Sequence, residues 1–473
     1  MDLSKMKMPI VKTLLDALGN EKVSTDVHVL KERRHDYWVL SQLDDIQGRG
    51  APNPLCVVMP GDTDDVIAVV NACRENETLL VPFGLGSGVC GGVKTSADTV
   101  LLDISSMNRT RTIDVDNLIA TFEAGVRGAD AEAGVAKHGL TIGHHPQSVD
   151  LSTVGGWAAT RSSGQFSSAY GSIEDMVLGL ELVLPNGEIL ETLLTPRASV
   201  GPDLKQLFLG SEGTLGIITA LTFSLRWKPE KQAFTAFYAP SMEAGFEAQR
   251  FIIQSGWTPP VMRQYDSTEA RRLFPEQARG DDALILLVHE GPAARVDVEV
   301  QACPALMAEV GCEPASTEAV AHWMEERNQV PTWDVFLDKG IILDTIEIAA
   351  AWDRIGPIYR SVIASLKEVD HILTASAHSS HCYRSGINLY FTFAARPPES
   401  ARMADVYMEC WRRTLEATVK GGGGISHHHG IGRLRRDWLP REIGQTGVHL
   451  LRSLKQVLDP TGFMNPGVLI PDV

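Results

Sequence analysis

The sequence predicts an α+β protein built from at least two folding units. Its 473 residues exceed what one hydrophobic core usually holds, since domains run to about 100–200 residues. In the first half, short apolar runs alternate with helical patterns and glycine is frequent; after Trp227, glycine is rarer and the helical patterns are longer. Hydrophobic residues make up 44% and charged residues 22%, a globular balance that argues against bulk disorder.

Residues 54–225 carry the signals of a mixed α and β unit. The run LCVVMPGDTDDVIAVVNACRENE predicts a strand, a turn and a helix capped by Asp62 or Thr63. LLVPFG, TVLLDIS and LIATFEAGV predict strands, and ADAEAGVAKHG predicts a helix that ends at Gly139. The turn at residues 185–187, between two apolar runs, predicts a hairpin.

The region from about residue 227 to 419 predicts a second α+β unit with its own sheet. SMEAGFEAQRFIIQSG and WDRIGPIYRSVIASLKEV predict helices, whereas DALILLVHEG and GINLYFTFAA predict strands. A final helix, HLLRSLKQVLD, precedes a turn-rich close. We therefore predict an N-terminal helical segment at 1–49, a first domain at 50–228, a second domain at 229–419 and a C-terminal segment at 420–473.

Composition also bounds the function and the compartment. A net charge of −16 disfavours a nucleic-acid partner, which normally needs a basic face. The seven cysteines form no CxxC pair, which favours buried thiols in a reducing compartment. Neither a signal peptide nor an apolar run of about 18 residues is apparent. We expect a cytoplasmic protein.

The segment PFGLGSGVCGG at residues 82–92 follows a predicted strand. Its five glycines let backbone N–H groups cluster and bind a pyrophosphate, with an ordinary tight turn as the alternative. The spacing matches neither the P-loop nor the GxGxxG fingerprint of Rossmann folds. A Rossmann dinucleotide site is therefore disfavoured.

Two further segments are rich in glycine and small polar residues. PQSVDLSTVGGWAATRSSGQFSSAYGSIEDMV covers residues 146–177, and GSEGTLGIITALTFSL covers residues 210–225. Loops longer than about 15 residues without structure are uncommon unless they bind something. We therefore expect the first of these segments to lie against a planar cofactor and to donate hydrogen bonds to it.

These segments resemble the flavin-binding domain of the vanillyl-alcohol oxidase / p-cresol methylhydroxylase (PCMH) superfamily. STVGGW, IEDMV, GSEGTLGIIT and HHHGIGRLRRDWL are most similar to the alkyldihydroxyacetonephosphate synthase (alkylglycerone-phosphate synthase) family of ether lipid biosynthesis. The resemblance extends from about Pro54 to the C-terminus. It implies an α+β fold: a two-part PCMH-type FAD-binding domain, an α+β cap domain with its own sheet that binds substrate, and a C-terminal segment that returns to the flavin.

The resemblance implies FAD as the cofactor. The first glycine-rich segment would hold the pyrophosphate, the second the isoalloxazine and ribityl groups, and the third the adenosine side. Because residues 84–92 contain no histidine, a frequent covalent anchor in the superfamily, we expect noncovalent FAD. The implied cofactor-binding residues are Pro82, Gly84, Leu85, Gly86, Ser87, Gly88, Val89, Cys90, Gln147, Ser148, Asp150, Ser152, Thr153, Gly155, Gly156, Thr160, Arg161, Ser162, Ser163, Glu212, Gly213, Thr214, Leu215, Gly216, Ile217 and Ile218.

The resemblance also implies a set of catalytic residues. Tyr383 matches the family's proton-transferring tyrosine, although a phenol with a pKa near 10 needs help from histidines or the flavin. Arg263 matches an arginine associated with activity, which could pair with phosphate or with developing negative charge. From the residues alone, Tyr383 could be an ordinary strand tyrosine and Arg263 a surface ion pair with Asp266. The implied catalytic residues are Tyr383, Arg263, His427, His428 and His429.

The main functional prediction is the reaction of the synthase family. The enzyme would exchange the acyl group of acyl-dihydroxyacetone phosphate for a fatty alcohol through a flavin N5 adduct. One departure counts against a phosphorylated substrate. The family's arginine before the WDR helix is missing, Trp333 and Asp334 stand in its place, and Lys339 is a candidate replacement.

The alternative is an FAD-dependent dehydrogenase or oxidase of a small 2-hydroxy acid or alcohol. The close DPTGFMNPGVL resembles the NPG ending of 2-hydroxyacid dehydrogenases and glycolate oxidase subunits. The histidine triplet would then accept the hydroxyl proton while a hydride passes to flavin N5. A flavoprotein scaffold or sensor is a third reading, disfavoured because ionisable groups clustered beside a cofactor usually do chemistry.

The histidine triplet raises its own expectations. In an extended segment His427 and His429 share one side and His428 faces the other, which predicts a structural role for His428. No metal site is expected, because HExxH is absent and further ligands are not evident. A basic stretch follows and either supplies a positive field or begins a solvated helix; it contains Arg433, Arg435 and Arg436.

The expected partners follow from these readings. The substrate would be a small or lipid-like anion, with peripheral membrane contact in the lipid-like case. The family resemblance implies a homodimer. No nucleic-acid partner is expected.

Overall fold

A computed structural model describes residues 8–471. The helix expected near the N-terminus is therefore described from Met8 onward, and its first seven residues lie outside the described range. Two lobes are evident: a first lobe at residues 8–227 and a second lobe at residues 231–420, followed by a C-terminal segment.

The first lobe mixes short strands with helices, as predicted. Its elements are α1 (Met8–Leu18), β1 (Val23–Ser24), α2 (Val27–Arg33), α3 (Val39–Ile46), β2 (Cys56–Val58), α4 (Thr63–Glu75), β3 (Leu79–Phe83), β4 (Thr99–Asp103), β5 (Thr110–Asp114), β6 (Ile119–Glu123), α5 (Gly128–Ala136), β7 (Leu140–Thr141), α6 (Val154–Thr160), α7 (Ser167–Tyr170), α8 (Ile173–Met176), β8 (Val177–Val183), β9 (Ile189–Glu191), α9 (Lys205–Phe208), β10 (Ile217–Ser224) and β11 (Arg226–Trp227), with a 3-10 turn at Ile104–Ser106.

Two sheets make up most of this lobe. One has the order β1-β2-β4-β3, in which β2, β4 and β3 run parallel, and the other is antiparallel with the order β5-β6-β10-β8-β9. Asp62 caps α4 by accepting the N–H of Asp65, and the predicted hairpin is the pair β8–β9. A continuous apolar core packs the helices against both sheets.

The second lobe has longer elements. They are β12 (Lys231–Ala239), α10 (Met242–Gln254), β13 (Val261–Tyr265), α11 (Ser267–Leu273), β14 (Ala283–Gly291), α12 (Ala293–Glu309), β15 (Glu313–Pro314), α13 (Glu318–Glu326), α14 (Asp334–Leu337), β16 (Ile342–Ala351), α15 (Trp352–Lys367), β17 (Ile372–Ser379), β18 (Cys382–Tyr383), β19 (Gly386–Ala395) and α16 (Met403–Lys420), with a 3-10 turn at Ser400–Arg402.

One antiparallel sheet organises the second lobe, with the order β15-β12-β14-β13-β17-β19-β16 and β18 paired to β19. Both faces of its centre are covered, which explains the unbroken apolar run of β14. Ile285 and Leu287 face a core shared with the long helices, whereas Leu284, Leu286 and Val288 face a core shared with α11 and α13. The α+β class and the separate sheet of the second domain are confirmed.

The chain after Lys420 returns to the first lobe. Gly424 donates its N–H to Ala349 of β16, and Arg433 donates its N–H to the carbonyl of Cys90 in the first glycine-rich loop. A 3-10 turn (Arg436–Trp438) and α17 (Leu439–Leu458) follow. Beyond them, the carbonyl of Phe463 accepts the N–H of Leu80 in β3, and Asn465 donates its N–H to the carbonyl of Leu80. Within residues 8–471, no helix is both long and apolar enough to cross a membrane.

The packing of α6 against β6 gives the first prediction. A Cβ on Gly155 would lie 2.7 Å from the Cβ and 2.8 Å from the carbonyl oxygen of Ala124, whereas a Cβ on Gly134 of α5 meets nothing within 4 Å. Gly155→Ala should lower the free energy of unfolding by about 1–3 kcal/mol through overpacking. Gly134→Ala should raise it by about 0.5–1 kcal/mol, since alanine restricts the unfolded chain. Urea titration measures both, and equal effects would contradict the packing.

Candidate active site

A cavity of about 830 Å³ lies between the lobes. Cofactor and ligand pockets commonly measure about 300–1,000 Å³, so the volume suits a large ligand. The glycine-rich segments of the first lobe line one side. The predicted cofactor residues on its wall are Pro82, Gly84, Leu85, Gly86, Ser87, Gly88, Val89, Gln147, Ser148, Ser152, Thr153, Gly155, Gly156, Thr160, Ser162, Ser163, Glu212, Gly213, Gly216, Ile217 and Ile218.

The first glycine-rich loop has the form of an anion cradle. Among the described residues, no backbone N–H between positions 85 and 89 donates to a protein acceptor. A Cβ on Gly84 would lie 2.7 Å from Oγ1 of Thr153, and Gly86 has a φ of 71°, so side chains are excluded where the loop approaches the second segment. Open N–H groups on a loop of this shape suit a pyrophosphate, and the residues present therefore fit FAD.

Five predicted cofactor residues lie off the cavity wall. Cys90 is buried behind the loop, and Thr214 and Leu215 point into the interior of the first lobe. Asp150 is exposed, and Arg161 leaves the end of α6 in a left-handed conformation (φ 53°) with its side chain half exposed. The motif places them in the right segments, but the backbone turns each side chain away from the cavity.

Two buried carboxyl groups flank the cradle. Burial raises the pKa of Glu212 to about 7, although it accepts N–H groups from Ile431 and Gly432. Burial likewise raises the pKa of Asp36 to about 7 against hydrogen bonds from Val93 and other backbone N–H groups. Sequence reasoning missed Asp36, which lies in the N-terminal segment and yet lines the cavity.

The histidine triplet meets the cavity differently from its predicted arrangement. His428 and His429 line the cavity, whereas His427 does not. The expectation that His428 faces away was wrong because the triplet lies in a run of bends and not in an extended strand. Tyr383 also lies off the wall, where its hydroxyl contacts Nε2 of His427 at 2.6 Å.

The carboxylate of Glu347 fixes the backbone of the triplet. Its Oε1 accepts the N–H groups of His427, His428 and His429 at 3.3, 3.3 and 3.0 Å. Its Oε2 lies 3.1 Å from Nδ1 of His429 and pairs with Arg435. Burial opposes ionisation of Glu347, but Arg435 and His429 outweigh it and hold the pKa of Glu347 well below its usual range.

Arg435 therefore does not have either of its predicted roles. It is fully buried with Glu347 and contacts the ring of Trp411, so it neither faces solvent nor projects charge into the cavity. Arg433 and Arg436 donate to the carbonyls of Pro466 and Gly467 and hold the C-terminal turn in place.

Arginines of the second lobe supply the positive charge of the cavity instead. Arg263 is 9% exposed, lines the cavity and donates through Nε to the hydroxyl of Tyr265 at 2.8 Å. No described carboxylate lies within ion-pair distance of Arg263, and Asp266 caps α11 instead of pairing with it. Arg327 also lines the cavity and donates to Gln165, whereas Lys339 is exposed and off the wall.

Several functional candidates escaped the sequence analysis. His378 is the penultimate residue of β17, and His381 lies two residues beyond the end of that strand. Tyr390 lies in the middle of β19. All three line the cavity beside His428. Tyr390 stacks on His378 at 4.5 Å between ring centroids. The only sequence signal was the polar run AHSSHCYR before the predicted strand GINLYFTFAA, which does not show what its side chains meet.

The expectation that the triplet lacks further ligands was wrong. His381, His427 and His428 offer nitrogens within 4.8 Å of one another. However, both ring nitrogens of His427 and of His428 already contact other side chains of the described chain. We therefore interpret His427 and His428 as members of a hydrogen-bonded chain and not as metal ligands, with the ring of His381 stacked on His427.

Comparisons with known proteins agree with this geometry. The chain matches the FAD binding domain over residues 54–193 and the C-terminal domain of FAD linked oxidases over residues 228–469. It is 34% identical to the uncharacterized FAD-linked oxidoreductase YgcU of Escherichia coli K12 over 99% of each chain. It is 28% identical to the alkyldihydroxyacetonephosphate synthase of Trypanosoma brucei brucei over 98% of this chain and 81% of that one.

Two further likenesses bear on the function. The glycolate oxidase subunit GlcD of Bacillus subtilis is 29% identical over 88% of each chain. A solved structure of alkyldihydroxyacetonephosphate synthase has a TM-score of 0.81 at 25% identity and covers 97% of this chain and 85% of that one.

The fold and the cradle define a flavoenzyme of the PCMH type. The chain belongs to the family of FAD linked oxidases. The resemblance, the fold and FAD as the cofactor are thus confirmed, whereas noncovalent attachment stays a prediction.

The buried pair of Glu347 and Arg435 gives the second prediction. Glu347→Gln leaves a buried cation without its partner and should lower the free energy of unfolding by about 3–5 kcal/mol. Arg435→Met should cost a similar amount, and the double variant should cost clearly less than the sum. Asp130→Asn, which removes an exposed pair with Arg127, is the control and should change stability little. Additive effects in urea titrations would contradict the pairing.

The raised pKa of Glu212 gives the third prediction. Between pH 4.5 and about 7 the folded protein keeps a proton that the unfolded chain has released, so stability falls as pH rises through this window. Glu212→Gln keeps an acceptor for Ile431 and Gly432 but cannot ionise. In this variant the unfolding free energy should decrease by about 3 kcal/mol less between pH 4.5 and 7 than in the native protein. The decrease that remains is due to Asp36. Unfolding free energies measured across the window test this, and an unchanged slope would contradict it.

Proposed function

We propose that the protein oxidises a small 2-hydroxy acid, or a similar anionic alcohol, with bound FAD as the oxidant. The observation that carries the proposal is Arg263. Its guanidinium lies in the cavity, 5.2 Å from the ring centroid of Trp323, without a carboxylate partner among the described residues. A desolvated cation is costly unless an anion neutralises it, and guanidinium and carboxylate groups bind each other in a bidentate fork.

Proton acceptors lie on the same wall. His381 and His428 line the cavity, and burial holds the pKa of each well below its usual range, so both imidazoles are neutral near pH 7. Both ring nitrogens of His428 contact side chains, so a proton from the cavity reaches His428 through the hydroxyl of Tyr390 on its Nε2. His429 lines the cavity with Nδ1 turned to Glu347, which leaves Nε2 as the nitrogen available to a ligand. A neutral imidazole within reach of a hydroxyl is suited to accept its proton.

These positions indicate which group carries out each part of the reaction. When bound, FAD would supply the oxidising power as the acceptor of a hydride, with its two electrons, from the carbon that bears the hydroxyl. Arg263 binds the carboxylate and so orients that carbon, while the wall of histidines and Tyr390 takes the hydroxyl proton. The glycine-rich loop and the segment at residues 147–163 line the cavity and would hold the cofactor. The full-length likeness to an FAD-linked oxidoreductase and the likeness to a glycolate oxidase subunit support this reading.

Acyl-for-alkyl exchange on acyl-dihydroxyacetone phosphate is the second candidate. It is favoured by the likeness to alkyldihydroxyacetonephosphate synthases and by an apolar part of the wall formed by Leu273, Phe274 and Trp333. The missing family arginine weighs against it, because Trp333 occupies the wall and Lys339 does not reach it. Arg327 is the cation nearest in sequence that lines the cavity.

The fourth prediction separates the two reactions. Anaerobic mixing with D-lactate, glycolate or D-2-hydroxyglutarate should bleach the flavin absorbance. Arg263→Gln should lower the second-order rate of bleaching by at least about 30-fold, since loss of a buried charge partner costs about 2 kcal/mol or more.

Arg272→Gln is the matched control. Arg272 lines the same cavity but already pairs with Glu269 at 3.0 Å, so its replacement should change the rate far less. Absence of bleaching by any hydroxy acid, together with ether product from acyl-dihydroxyacetone phosphate and hexadecanol, would contradict the proposal and favour the second candidate.

A further inference from the structure

Four side chains form a continuous chain of hydrogen bonds through the histidine loop. The hydroxyl of Tyr383 contacts Nε2 of His427 at 2.6 Å, Nδ1 of His427 contacts Nδ1 of His428 at 2.7 Å, and Nε2 of His428 contacts the hydroxyl of Tyr390 at 2.5 Å. Every contact has the length of a hydrogen bond between two groups that each donate and accept.

The chain has only two consistent proton arrangements. A neutral imidazole carries one N–H and one acceptor nitrogen, so the contact between the two Nδ1 atoms requires opposite tautomers of His427 and His428. In one arrangement each group donates to the next from Tyr390 toward Tyr383. In the other, each group donates in the opposite direction, from Tyr383 toward Tyr390. Burial lowers the pKa of His427 to about 4 and that of His428 well below its usual range, so both rings are neutral near pH 7.

The two ends of the chain lie in different surroundings. Tyr390 lines the cavity beside His378 and His381. Tyr383 does not line it but keeps a half-buried side chain, and the two residues that follow it are exposed. Burial raises the pKa of Tyr383 to about 12, with the hydroxyls of Ser172 and Ser163 acting in the opposite direction. The chain therefore runs from Tyr390 on the cavity wall to a half-buried tyrosine that two exposed residues follow.

Neighbouring groups hold the imidazole rings of His427 and His428 in position. Glu347 accepts the backbone N–H groups of His427 and His428, and His381 stacks on His427 at 4.7 Å between ring centroids. His381 is itself held through Nδ1 by the hydroxyl of Ser167 at 2.5 Å. Proton transfer along such a chain needs fixed donor–acceptor distances, which these contacts provide.

We propose that Tyr390, His428, His427 and Tyr383 form a proton relay that carries the substrate's hydroxyl proton out of the cavity. The proposal rests on the oxidation proposed above. As the substrate O–H bond breaks, its proton passes to the oxygen of Tyr390 and the proton of Tyr390 passes to Nε2 of His428. The Nδ1 proton of His428 passes to Nδ1 of His427.

The transfer ends at Tyr383. The Nε2 proton of His427 passes to the oxygen of Tyr383, whose own proton leaves to water. The hydride from the substrate carbon goes to FAD, the oxidant. Every member of the relay is neutral before and after, and each hydrogen bond ends with its direction reversed.

The first arm of the fifth prediction needs no substrate. In the resting protein, after dialysis against EDTA, ¹⁵N NMR of labelled imidazoles should show His427 and His428 as opposite neutral tautomers. Tyr383→Phe removes one terminal hydroxyl and should shift the His427 signals, whereas Tyr359→Phe, which removes a hydroxyl bonded to Asp266, should not. Equal tautomers, a doubly protonated ring or a metal-bound Nδ1 would overturn the relay.

The second arm uses a hydroxy acid that bleaches the flavin. Proton release, followed with an indicator dye, should coincide with bleaching in the native protein and should lag by about tenfold or more in Tyr383→Phe and His427→Asn. The dissociation constant of the substrate should stay unchanged, since neither residue lines the cavity. Release that stays coincident with bleaching in both variants would overturn the relay, whereas a failure of every hydroxy acid to bleach the flavin concerns the oxidation alone.

Discussion

The carboxylate of Glu347 is the group on which the arrangement of the cavity depends. It stands on β16 in the sheet of the second lobe, is fully buried, and accepts three consecutive N–H groups of the histidine loop. Its partner Arg435 also approaches Sγ of Cys90, in the first glycine-rich loop, at 3.4 Å. One charged contact therefore links the histidine loop to the second lobe through Glu347 and to the first lobe through Arg435 and Cys90.

The reason for burying an ion pair here is geometric. Desolvation offsets much of the attraction between buried charges, so such a pair adds little net stability and an apolar pair of similar volume is often as stable. An apolar pair at Glu347 and Arg435 would, however, leave three N–H groups of the loop without an acceptor, at about 1–3 kcal/mol each. The bends that turn His428 and His429 toward the cavity exist because that acceptor is present.

The sequence predicted the features whose causes are local. The helix cap at Asp62, the hairpin after β8 and the open glycine loop each follow from a few neighbouring residues, and all of them are present. The composition of DTIEIAA marks a strand, but nothing in it shows that Glu347 meets a loop 80 residues later. Likewise, the order of the three histidines depends on a carboxylate from another strand, so alternation along an extended chain was the wrong guide.

The low basicity of the buried histidines determines what the cavity must do with a proton. An imidazole whose pKa is about 4, such as that of His427, cannot keep a proton at neutral pH, so it cannot serve as the final acceptor in an oxidation. An imidazole that does not stay protonated must pass the proton to a neighbouring group. The hydrogen bonds from Tyr390 through the two histidines to Tyr383 provide that path. The family's tyrosine would then act in proton transfer without touching the substrate, which reconciles its place in the motif with its place behind the cavity wall.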